Sequence, residues 1–131
     1  MDTRKLKSYA VWFSTQNTAI IENALNSLWA NIADQYQIVS EEGHEPSAFE
    51  PWLKIGKNFY LLHTEAHWSP GDVCGLLRFR KLIPAHDECM AIAISKEWYL
   101  PNHGLQNNNH ASSKLFDWKN QSERYQLISK R

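Results

Sequence analysis

Residues 61–68 read LLHTEAHW, and they place His63, Glu65 and His67 at every second position after an apolar run. On a strand, alternate side chains share a face, so Phe59, Leu61, His63, Glu65 and His67 would line up together. A carboxylate between two imidazoles on one face is a donor set for zinc or iron, with His86, Cys89, His103 or His110 as the outside ligand. The same groups suit acid–base chemistry. His63 or His67 could exchange protons with His110 while Arg78 or Arg80 holds a phosphate, as in a phosphoesterase or ribonuclease. On a helix Glu65 would point away from the two histidines and the constellation would vanish. No partner motif at fixed spacing accompanies HxExH, so the polar, exposed end of a half-buried strand is the simpler account of it.

The opening of the chain has a second chemical association. YAVWFS, a long helix and then FEPWLKI are similar in layout to the start of 2H phosphoesterases, in which a strand and a helix precede an HxT motif. Trp52 stands in the histidine position here and Lys54 in the threonine position, and HAS at 110–112 sits in a polar stretch. Without the first histidine the activity does not carry over. Glycine-rich phosphate loops, a GxSxG elbow and a Walker motif are all absent from the sequence.

The elements that must position these residues follow from periodicity. KLKSYAVWF at 5–13 alternates Tyr9, Val11 and Phe13 with Ala10 and Trp12, which predicts an interior strand apolar on both sides. STQNT offers N-caps. Ile21, Ala24, Leu25, Leu28, Ile32 and Tyr36 then recur at helical spacing, predicting a helix over 17–35. YQIVS at 36–40 reads as a strand, 41–51 as an exposed loop, and 52–68 as a turn near 56–58 feeding a strand over 59–66. SPGD at 69–72 is a helix start, although 72–83 also fits a strand. Residues 89–100 alternate as a strand. This βαββαβ order predicts an α+β, ferredoxin-like antiparallel sheet with both helices on one face. One domain is expected over 1–131, with its core in 5–100 and an extension over 101–131. That extension holds an Asn-rich loop at 102–113, then a helix with Leu115, Trp118 and Tyr125, or a helix plus a strand near 125–128. It should cover the open side or edge of the sheet.

Composition narrows the functional classes. Fourteen Lys and Arg balance fourteen Asp and Glu, which disfavours a dedicated duplex-binding domain. Six Trp, five Tyr and five Phe are a heavy aromatic load, most of it expected in the core. Cys74 and Cys89 do not make a disulfide framework and read as buried thiols of a reducing compartment. No run has the length of a signal-peptide core or a membrane span, so the expected location is cytoplasmic.

The leading expectation is a non-catalytic binding module of inhibitor, immunity or adaptor type that engages a protein partner. Phe49 and Trp52 would anchor the contact, and Glu41, Glu42 and Glu45 would form its polar rim. The small metal-dependent or acid–base enzyme comes second. A single-stranded nucleic-acid binder comes third, stacking bases on Tyr9, Phe59 or Trp98.

Overall fold

The computed structural model describes residues 3–40, 42–94 and 110–130, with side chains from 114 onward in the last segment. In chain order the described elements are strands β1 (Thr3–Arg4) and β2 (Leu6–Phe13), helix α1 (Thr18–Ala33), strand β3 (Tyr36–Val39), a single 3-10 turn (Pro46–Ala48), strands β4 (Trp52–Lys54) and β5 (Phe59–Glu65), helix α2 (Pro70–Phe79), strand β6 (Cys89–Ile94), helix α3 (His110–Arg124) and strand β7 (Gln126–Ser129). The fold is mixed α and β, with two antiparallel sheets. No described helix is long and apolar enough to cross a membrane.

Local signals explain the two N-terminal helices. The Asn17 side chain accepts from the Ile20 amide at 3.3 Å and starts α1. The helix buries Ile21, Ala24, Leu25, Leu28 and Ile32 as the spacing predicts, whereas Tyr36 begins β3. The ambiguous stretch after residue 69 is helix. Ser69 Oγ accepts from the Asp72 amide at 3.1 Å, and Asp72 Oδ2 accepts from the Ser69 amide at 2.7 Å. This capping box, with Pro70 in the first turn, satisfies two otherwise unpaired donors.

One strand departs from its expected place in the main sheet. The larger sheet has the order β4-β5-β2-β6, and the smaller β1-β7-β3. The strand at 36–39 leaves the main sheet and pairs with β7, with Ile38 opposite Leu127. Its place is taken by β4, which reaches β5 through a tight local turn. In that turn the Phe59 carbonyl accepts from the Ile55 and Gly56 amides at 3.0 and 3.2 Å. A hairpin closes with little loss of loop entropy. The short β3 instead gains apolar partners in a separate small core of Leu6, Ile32, Tyr125 and Leu127.

The main sheet is covered on both faces. Tyr9, Val11, Phe13, Tyr60 and Leu62 meet Ile21, Leu25 and Leu28 of α1 and Val73 and Leu77 of α2. The two helices therefore share one face, as expected. On the opposite face Leu53, Leu61 and Ala10 meet Trp118 and Leu115 of α3. The C-terminal extension thus covers the open side of the sheet, and its last strand joins β1 to β3. The strand expected over 89–100 is described as far as Ile94; its remainder, with the loop 102–109, lies outside the described residues.

Candidate functional site

The strand β5 carries His63 and Glu65, so the alternation predicted for them is present, but their surroundings are not the expected wet strand end. Tyr60 through Glu65 are all buried: α1 and α2 cover Tyr60 and Leu62, and α3 closes over Leu61 and His63 on the other face. His63 has no exposed surface. Its Nε2 lies 3.1 Å from the Trp118 carbonyl and its Nδ1 2.9 Å from Ser8 Oγ. A carbonyl can only accept, so Nε2 carries the proton and Nδ1 accepts from the serine hydroxyl. The ring stacks on the Trp118 indole with centroids 3.7 Å apart and packs against Phe49 at 5.6 Å. Burial lowers the imidazole pKa to about 3; the hydrogen bond to Trp118 opposes that shift, and the charge of Lys119 adds to it. His63 is therefore a neutral imidazole with both nitrogens engaged. Ligation of a metal would cost it one of those hydrogen bonds.

Glu65 and His67 belong to a different cluster. The chain turns out of β5 after Glu65, with the Ala66 amide donating to the Lys5 carbonyl at 3.0 Å. His67 Nδ1 lies 2.6 Å from Glu65 Oε1, and the His67 amide donates to the same oxygen at 3.0 Å. The Arg4 guanidinium reaches Glu65 Oε1 at 3.4 Å, contacts the His67 ring and lies 5.8 Å from the Tyr36 ring centroid. Glu65 is buried and His67 is exposed. The carboxylate thus has a cation and an imidazole on it, and it ties β1 to the end of β5. Beside it a cavity of about 320 Å³ is lined by Tyr36, Trp68, Asp72 and Leu76.

The three-residue face divides in this way. Among the described residues no three His, Cys, Asp or Glu side chains are gathered as a zinc or iron site. His86 is exposed and pairs with Asp87 at 3.8 Å. His103 lies outside the described residues, as does the side chain of His110, whose backbone starts α3.

The aromatic anchors expected for a protein contact turn inward. Phe49 is half-buried against Trp29 and Tyr125, at 5.1 and 5.3 Å between centroids. Trp52 donates from Nε1 to Asn26 Oδ1 at 2.8 Å and meets Tyr60 edge-on. The acidic loop is held to α3. The Glu50 amide donates to Gln121 Oε1 at 2.9 Å, and Gln121 Nε2 donates to the Glu50 carbonyl at 2.8 Å. The Tyr125 hydroxyl donates to the Glu45 carbonyl at 2.9 Å. Glu42 is exposed, 3.6 Å from His44, and Glu41 lies outside the described residues. For base stacking, Tyr9 is unavailable because α1 and α2 bury it, Phe59 is exposed, and Trp98 lies outside the described residues.

A surface not singled out from the sequence lies at the other end of the α3-covered face. Trp12 sits between Phe59 and Met90 across the strands, and Ile92 is opposite Ala10. Phe59, Met90 and Ile92 are 39%, 48% and 53% exposed, and Trp12 is half-buried. Leu115 and Trp118 cover Leu53, Leu61, Ala10 and Ile94 but leave this end open. The available signal was the apolar outer row of β2 combined with the uncharged CMAIAI of β6. Comparisons with protein-family models, curated proteins and solved structures give no match to this chain.

Proposed function

We propose that the protein is a non-catalytic binding module that engages a protein partner through the open end of its main sheet. The observation that carries this reading is an apolar patch: exposed Phe59 and Met90 flank half-buried Trp12 across three neighbouring strands, and exposed Ile92 follows Met90 along β6. Apolar clusters of this kind mark contact surfaces, and Trp, Phe and Met are enriched at their centres. The outer edge of β6 adds to it. No described strand pairs with that edge, and β6 carries no charge or proline to blunt it, so an extended segment of a partner could add to the sheet there. On this reading Phe49 and Trp52, packed against Trp29, Tyr125 and Tyr60, support the fold rather than anchor the contact.

A photoreactive phenylalanine analogue placed at position 92 tests the reading in extract of the native cell. It should capture one protein species at high yield, and the same group at Asn23, exposed on α1, should not. Equal capture from both positions, or none from position 92, would overturn the proposal.

A further inference from the structure

The chain's two cysteines come together in the fold. Cys74 lies in α2 and Cys89 is the first residue of β6. Cys89 is opposite Phe13 in the sheet, so it points to the face covered by the helices. Cys74 Sγ is 3.9 Å from the Cys89 carbonyl oxygen, so the two cysteines are neighbours across the α2–β6 contact. The approach is set by the fold on both sides. The capping box fixes the start of α2, Val73 and Leu77 anchor the helix in the core, and six residue pairs of β6 are in register with β2. Both cysteines are free and half-buried.

We propose that Cys74 and Cys89 are a thiol-oxidation site that closes into a reversible intramolecular disulfide, with a low-molecular-weight disulfide such as oxidised glutathione as the oxidant. The Cys74 thiol loses its proton to water, and the thiolate attacks one glutathione sulfur. A Cys74–glutathione bond forms and one glutathione thiolate leaves. The Cys89 thiol loses its proton to water, its thiolate attacks Cys74 Sγ and displaces the second glutathione thiolate, and the two released glutathione thiolates take up the two protons. Two protein thiols are oxidised by two electrons, and one glutathione disulfide is reduced to two thiols. Burial, with the neighbouring Cys74 thiol, pushes the Cys89 pKa up to about 12, which disfavours Cys89 as the thiolate that attacks glutathione first. The cross-link ties α2 to the edge strand that carries Met90 and Ile92. The inference rests on the cysteine geometry and is independent of the binding role.

The test is a titration of the purified full chain across oxidised-to-reduced glutathione ratios, followed by alkylation, intact mass and peptide mapping. The wild type should lose the mass of two hydrogens, refuse the alkylating reagent, remain monomeric in mass and yield one Cys74–Cys89 linked peptide that dithiothreitol reopens. Cys89→Ser should accumulate a stable glutathione adduct at Cys74, which the wild type resolves. A wild type that keeps stable glutathione adducts, forms only intermolecular disulfides or remains fully reduced in pure oxidised glutathione would overturn the proposal. So would a folded Cys89→Ser variant, verified by its melting transition, that takes up no glutathione.

Discussion

The imidazole of His63 lies flat against the indole of Trp118, with ring planes 7° apart, and its Nε2 donates to the backbone carbonyl of that same tryptophan. A strand residue and a helix residue 55 positions apart are thereby joined twice, by stacking and by a hydrogen bond. The histidine that looked most available for chemistry serves to hold α3 to the main sheet.

His63→Ala should therefore destabilise the fold by about 2–4 kcal/mol, since it leaves a cavity and unpairs the Trp118 carbonyl and the Ser8 hydroxyl. Chemical denaturation measures this directly. A loss below about 0.5 kcal/mol, the range of ordinary surface substitutions, would contradict the locking role.

The same residue predicts a pH dependence. Its folded pKa is about 3, against an ordinary value of 6.5. Between those values the unfolded chain binds a proton that the folded chain refuses. Stability is complete above pH 6.5 and is lost as pH falls from there toward 3, at about 1.4 kcal/mol per pH unit within the window. Comparing urea midpoints of the wild type and His63→Gln from pH 7.5 to 4.5 isolates the effect. Parallel curves for the two proteins would refute it.

Gln121 should be the residue that keeps the acidic loop in place. Its amide makes two hydrogen bonds to the Glu50 backbone, and it is buried. Gln121→Ala should cost about 1–3 kcal/mol and release the Glu50 amide to rapid hydrogen exchange. Gln121→Glu retains the acceptor for the Glu50 amide but loses the donor, and should fall between the two. Unchanged protection at Glu50 in the alanine variant would show that the clamp is dispensable.

Ser69→Ala removes half of the capping box of α2 and should lower stability by about 1 kcal/mol. Thermal melting is the readout. The loss should be smaller for Ser69→Asp, which keeps an acceptor for the Asp72 amide; a Ser69→Asp protein less stable than Ser69→Ala would argue against the capping account.

Local order was largely legible in the sequence. Helical spacing from Ile21 to Ile32 with Asn17 ahead of it, alternation along 5–13 and 59–65, and the SPGD helix start each depend on residues within one or two turns of each other. Backbone geometry turns such spacing directly into a buried face. What the tertiary structure decided was the fate of each face. The sheet to which residues 36–39 belong depends on β7, about ninety positions away, because strand pairing is a long-range choice with no local code. Whether His63 met water or a tryptophan depended on where α3 docked, and the same docking left Trp12, Phe59, Met90 and Ile92 uncovered. Phe49 and Trp52 looked like surface anchors because their neighbours are polar. Only the packed structure brings Trp29, Tyr125 and Tyr60 against them. Residue spacing determines which side chains share a face, and only packing decides what each face meets.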